Sequence, residues 1–167
     1  MTKYSDAVAF LRALGLADDL NSFTSRKRIQ KIIYMLKQFG ADLKFGYGWY
    51  VHGPYSPELT RTLFNPTNAD LASKRNLTKT ELQIVNRVRN FLAEDFYSVD
   101  SLELIVSLIY LIKHGPKEGY NTKQKITEYL QSQKPQFSAE EIEVAWHKIG
   151  KSEIWKNFLT NLVIGFT

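Results

Sequence analysis

The sequence predicts a mainly α, compact domain of six to eight helices, with a small β-strand or hairpin at about residues 43–51. Three observations lead there. Apolar residues recur at helical spacing along most of the chain. Thr78 with Glu81, Asp100 with Glu103 and Ser138 with Glu141 have the spacing of capping boxes, which marks three helix starts in the second half. Between Leu43 and Val51 the apolar period falls to two, as a strand requires.

In chain order, residues Ser5 to Leu14 set Ala7, Val8, Leu11 and Leu14 on a helical pattern that Gly15 stops. After the polar interval from Asp18 to Ser22, Thr24 or Ser25 is the expected cap of a second helix. Its Ile29, Ile32, Ile33 and Leu36 fall at i, i+3, i+4 and i+7, and Gly40 ends it by accepting left-handed backbone. Leu43, Phe45, Tyr47, Trp49 and Val51 then alternate, interrupted by Gly46 and Gly48, which suits one twisted strand or a hairpin. Gly53-Pro54 reads as a turn. Ser56, Pro57 and Glu58 supply a cap, a proline at the first helical position and a first-turn acid for a short helix through Leu63.

Asn, Pro, Ser and Thr collect between Asn65 and Asn76, which predicts a surface loop. The helix after Thr78 carries Leu82, Val85, Val88, Phe91 and Leu92. The next, after Asp100, is apolar nearly all round, belongs at a bundle centre and closes at Lys113-His114-Gly115-Pro116. A weaker helix spans Lys123 to Leu130. Another carries Ile142, Ala145, Trp146 and Ile149 and ends at Gly150, and a last one from about Ser152 carries Ile154, Trp155, Phe158, Leu159 and Leu162.

A chain of 167 residues suits one domain over 1–167, burying about two-thirds of its unfolded surface. Hydrophobic residues at 44% and charged residues at 23% exclude a disordered chain. The lack of cysteine excludes disulfides and thiolate metal sites and fits a cytoplasmic location. The opening MTKYSDAVAFLRALGL is broken by Asp6 and Arg12, unlike a secretory signal, so export is not expected. The strongest apolar run, Leu104 to Ile112, is about half a bilayer span, which predicts a buried helix and no membrane partner.

Net charge is +5, and its distribution is uneven. Residues 1–75 hold 11 Lys and Arg against 6 Asp and Glu, whereas residues 76–167 hold 11 of each. The chain therefore divides into a basic recognition half and a neutral helical-bundle half. A basic surface attracts nucleic acid, an acidic protein or an anionic ligand, and also serves solubility.

At about 100° per residue, Lys27, Lys31, Tyr34 and Gln38 fall on the helix face opposite Ile29, Ile33 and Leu36. Cations, an aromatic ring and an amide together can hold phosphate and stack on a base, and the same mixture occurs on solvated faces. Arg26, Lys27 and Arg28 lie in the first turn, where the macrodipole disfavours cations. An anion at the exposed amides would offset that, as would Asp18 or Asp19. The order of basic helix and aromatic hairpin is also that of a winged-helix reader, in which Arg26, Lys27, Arg28 and Lys31 would meet nucleic acid.

Around the Gly-Pro turn, His52, Tyr55 and Ser56 would gather beside a helix N-terminus to receive a carboxylate or a peptide backbone. The plainer reading makes Ser56 a cap and Tyr55 a cover for the core. His52 with Ser56 lacks a strained nucleophile elbow and an orienting acid, so no catalytic residue is expected and a small hydrolase ranks third. His52, His114 and His147 are too far apart in sequence for a local metal motif, and no phosphate loop or dinucleotide fingerprint occurs. No metal and no cofactor is expected.

The residues Lys31-Ile32-Ile33-Tyr34-x-Leu36, Gly40, Trp49 and Gly53-Pro54-Tyr55-Ser56-Pro57-x-Leu59 resemble a mostly uncharacterised bacterial family, the YwgA-like proteins. More distantly they resemble the Panacea domain of SocA-like antitoxins, with Lys31 and Tyr34 matching its Lys-x-x-Tyr helix and Gly53-Pro54 its Gly-Pro turn. The resemblance implies a mainly helical domain that binds and neutralises a partner toxin, or an adaptor that presents one to cellular machinery. The expected function is non-enzymatic recognition, with a protein partner first and nucleic acid second. The expected partner-binding residues are Lys27, Lys31, Tyr34, Gln38, Trp49, His52, Tyr55 and Ser56.

Overall fold

The computed structural model describes residues 2–17, 20 and 22–164, with backbone alone at 163 and 164. In these residues the mainly α prediction holds, with nine α-helices and one two-stranded antiparallel hairpin. The chain separates into two compact units, residues 1–102 and 103–167. That division lies within a helix, well past the loop at 65–76 where the composition changes.

In the first unit, α1 (Lys3–Ala13) starts on Thr2, whose side chain forms a reciprocal cap with Ser5, and Gly15 follows at φ +73°. Next, α2 (Phe23–Gln38) is capped by Ser22, whose hydroxyl accepts from the Ser25 N–H at 3.1 Å. The cap expected at Thr24 or Ser25 is thus displaced upstream, because Ser22 is the residue whose oxygen reaches an orphan amide at the third helical position. With the helix starting at Phe23, only Arg26 of the three cations expected in the first turn remains there, and Asp18 and Asp19, weighed as their neutralisers, lie outside the described residues. Gly40 stands at φ +102°, the left-handed backbone expected at the end of this helix.

Ala41, Leu43 and Phe45 are buried while Asp42, Lys44 and Gly46 are exposed, so the period of two holds over 41–46 and lapses before Val51, which is exposed. These residues nonetheless form no strand. Ladder pairing starts only at β1 (Gly48–Tyr50), opposite β2 (Gly53–Tyr55), with Trp49 facing Pro54 and Tyr50 facing Gly53. The second strand occupies the stretch that the Gly-Pro step marks as a turn. Val51 and His52 make the connection, and Val51 is 85% exposed at its tip. Neither has positive φ, whereas Gly53 stands at +83° and supplies the left-handed residue that follows such a turn in a short hairpin.

Ser56 then caps α3 (Pro57–Phe64) by accepting from the Leu59 N–H at 3.2 Å, as its sequence predicts. Within the expected surface loop, Thr67 and Asp70 form a capping box that starts the five-residue α4 (Asn68–Ala72), which buries nothing. The Thr78–Glu81 box opens α5 (Lys79–Leu92). That helix is buried through Ile84, Val85, Val88 and Leu92, with Leu82 exposed. Around this core α1 packs on α3, α4 and α5, and α2 on β2 and α5.

Arg75 ties α1 to α5 by donating to Asp6 at 2.7 Å and, through both terminal nitrogens, to Glu81 at 2.9 and 2.6 Å. These bonds, assisted by the Thr78 cap and opposed by desolvation, hold the Glu81 carboxyl down at about 2. A carboxyl depressed on folding adds stability above its unfolded pKa and loses it as pH falls towards the folded value. Urea titrations should therefore show Arg75→Ala destabilised by about 1–2 kcal/mol at pH 7, with the gap from the native chain closing between about pH 4.5 and pH 2. A gap that stays constant over that range contradicts this assignment.

A 3-10 turn (Ala93–Tyr97) leads into α6 (Val99–His114). The Asp100–Glu103 box is not formed. Ser98 caps the helix by accepting from the Ser101 N–H at 3.2 Å, which leaves Asp100 within the first turn. In the second unit Glu103 is paired with Lys134 at 2.6 Å, and both side chains are 2% exposed. A carboxylate drawn into an interior ion pair is no longer available to a cap.

The rest of the second unit comprises a 3-10 turn (Gly115–Glu118), α7 (Lys123–Gln133), α8 (Ala139–Gly150), a 3-10 turn (Glu153–Trp155) and α9 (Lys156–Ile164). The Ser138–Glu141 capping box forms as predicted. Leu108, Ile109, Ile112, Ile126, Leu130, Ile149 and Trp155 are fully buried. Among the described residues no helix is long and apolar enough to cross a membrane.

Candidate functional site

The side of α2 that meets the hairpin is a helical stripe. Phe23, Arg26, Lys27, Gln30 and Lys31 fall at i, i+3, i+4, i+7 and i+8, and they share one flank. Tyr50, Val51, His52 and Tyr55 of the hairpin segment oppose them, and Thr60 of α3 completes a pocket of about 390 Å³. The basic helix and the proline-stiffened corner therefore meet in one place within the first unit.

Two inward-directed side chains hold this corner together. The Gln30 amide donates to the Ser56 carbonyl at 3.0 Å and to the Thr60 hydroxyl at 2.9 Å, while its oxygen accepts from the Ser56 N–H at 2.9 Å. Lys31 donates to the carbonyl of Pro54 at 2.8 Å and to that of His52. The Tyr55 hydroxyl pairs with Thr60 at 2.8 Å, and the Tyr47 hydroxyl donates to the Gln30 carbonyl at 2.8 Å. Desolvation, and secondarily Tyr34, pushes the Tyr47 phenol well above its usual range, so it remains a donor at neutral pH.

These contacts correct the reading of Lys31 and Tyr34 as members of a solvated stripe. They are 1% and 3% exposed, and every residue from Ile29 to Leu36 is buried. The hairpin covers one flank of α2 and α5 packs on the helix as well, so burial extends beyond the isoleucine face. The lysine stem crosses the packed interface and delivers its ammonium to peptide carbonyls. Tyr34 stacks edge-on against Tyr47 at 5.1 Å.

Lys27, His52 and Tyr55 line the pocket, and Arg26 joins them. Ser56 is 0% exposed with its hydroxyl committed to the Leu59 amide, so it serves as a cap and is not presented as a nucleophile. Trp49 and Gln38 are half-buried outside the pocket lining. Arg28 donates to the Tyr97 carbonyl at 3.0 Å and lines a second cavity of about 370 Å³ with Lys27, Phe23, Tyr97 and Asp100. Phe23 and Lys27 are common to both cavities.

The lining is unusual in what it exposes. Phe23 is 66% exposed, Tyr50 48%, Val51 85% and Tyr97 71%, and Phe23 meets the His52 ring edge-on at 5.3 Å. The Arg26 guanidinium sits 4.2 Å from the Phe64 ring centroid, an arrangement that restrains its side chain at the pocket edge. Among the described residues no carboxylate lines the first pocket. An apolar concavity is thus bordered by cations.

Phe23, Gln30, Tyr50, Val51, Thr60 and Tyr97 were not among the residues expected from sequence. Phe23 and Gln30 carry a signal, since both share the helical flank of Lys27 and fall off the Ile29, Ile33 and Leu36 stripe. Tyr97 carries none, because long-range packing brings it there. Comparison of the chain with family models, with curated proteins and with solved structures gave no match in any of the three.

Proposed function

We propose that this chain is a non-enzymatic interaction module that holds a protein partner at the corner between α2 and the hairpin. One observation carries the reading: a pocket of about 390 Å³ in which exposed Phe23, Tyr50 and Val51 are gathered beside Arg26 and Lys27. Large apolar side chains left exposed around a concavity mark a docking surface, whereas the same residues scattered singly do not. The resemblance to antitoxin domains supports neutralisation or delivery of a toxin as the setting in which such a module works.

The test is affinity capture from native lysate with the whole chain, with and without nuclease, alongside Tyr50→Ser and Val51→Asp. Expected are protein partners that survive nuclease and are lost from both variants. Capture that nuclease abolishes, or that neither variant reduces, overturns the reading. The second reading, nucleic-acid binding through Arg26, Lys27 and Arg28, is favoured by their clustering in the first turns of α2. It requires affinity for an oligonucleotide that falls steeply with salt and disappears in Arg26→Glu/Lys27→Glu.

A further inference from the structure

Building on the protein-interaction reading, we propose that this corner recognises a short acidic segment of its partner, one aromatic or long aliphatic side chain of which fills the pocket. Four of the six large apolar side chains described as exposed in residues 1–102 (Phe23, Tyr50, Val51 and Tyr97) line the two adjoining cavities. The exposure is therefore concentrated in one patch. The pocket volume lies near the lower end of the range of about 300–1,000 Å³ for small-ligand clefts, which suits one large side chain and its flanking backbone.

Charge selects the flanks of that segment. Arg26 and Lys27 border the pocket, where no described carboxylate opposes them, Arg28 lies with Asp100 in the adjoining cavity, and the first turn of α2 contains no acid. The macrodipole adds positive potential at the same end of the helix. Carboxylates on either side of an inserted apolar anchor would meet both, with the anchor shielding them from water. Gln30 and Lys31 face inward on hairpin and α3 groups, so reading of the partner falls to Arg26, Lys27 and Tyr50. Nucleic acid fits less well, since Lys31 is buried and the concavity offers apolar depth where a phosphate track needs a run of exposed cations.

The experiment is selection of a phage-displayed random twelve-residue peptide library on the whole chain, followed by affinity measurement with the synthetic consensus peptide. Expected is a consensus of at least two Asp or Glu flanking an aromatic residue, Leu, Ile or Met. Binding of that peptide should weaken at least tenfold when its anchor becomes Ala, and equally in Tyr50→Ser or Arg26→Glu/Lys27→Glu, with far-ultraviolet dichroism unchanged. An enriched consensus without acids, still lost in Tyr50→Ser, overturns the acidic preference and leaves the interaction reading standing. Failure to enrich any peptide, while nuclease-resistant partners are still captured, likewise overturns this proposal alone. Enriched peptides indifferent to Tyr50→Ser, or displaced by fifteen-residue oligothymidylate at equal concentration, overturn both.

Discussion

Glu103→Ala should lower stability by about 3–5 kcal/mol, because it leaves the Lys134 ammonium buried with its partner carboxylate removed. Lys134→Ala should cost a similar amount by stranding the carboxylate. Both side chains are 2% exposed and 2.6 Å apart, so water cannot replace either member without opening the second unit. The double variant Glu103→Leu/Lys134→Met removes both charges while keeping comparable bulk, and it should recover most of the loss. Urea unfolding followed by tryptophan fluorescence measures this, with Trp146 and Trp155 reporting on the second unit. A loss below about 1 kcal/mol in both single variants would mean that the pair is hydrated and the burial argument wrong.

That pair also shows where local reading stops. Thr78, Ser138 and Ser56 behave as their sequences predict because a cap is a contact over three residues, settled by neighbours alone. Asp100 and Glu103 have the same spacing, yet Ser98 takes the capping role and Glu103 reaches a lysine 31 positions away. The hairpin errs in the same manner. Its alternating aromatic strand is visible, but Gly53 and Pro54 have low strand propensity, and their pairing with Trp49 and Tyr50 depends on the turn and on the lysine behind it.

At the candidate site, the meeting of basic helix and Gly-Pro corner was legible because the two are close in sequence. What each side chain does there was less legible. Helical projection assigns a direction to Lys31 but does not reveal that a hairpin lies over it. Of the residues on which the resemblance was read, Lys31 grips the Pro54 carbonyl, and Tyr34 stacks on Tyr47, whose hydroxyl bonds α2. The pocket-lining residues Phe23, Tyr50 and Val51 lie outside that set.

Lys31→Met should destabilise the first unit by about 2–4 kcal/mol and abolish partner capture, although Lys31 is directed at the hairpin. The methionine retains most of the apolar stem, so the loss isolates the ammonium. Two carbonyls, of His52 and Pro54, then lack their charged donor, at roughly 1–3 kcal/mol for each one left desolvated. Lys31→Glu should cost more, since a carboxylate in that position confronts the same two oxygens with like charge. Amide exchange across residues 48–55 should quicken, because the hairpin has only three facing pairs of its own and relies on α2 for support. Arg26→Glu provides the contrast: an exposed side chain whose replacement should weaken capture and leave stability within about 0.5 kcal/mol of the native chain. If Lys31→Met retains both stability and capture, the ammonium does not hold the hairpin, and the pocket must owe its shape to Gln30 and Tyr55 instead.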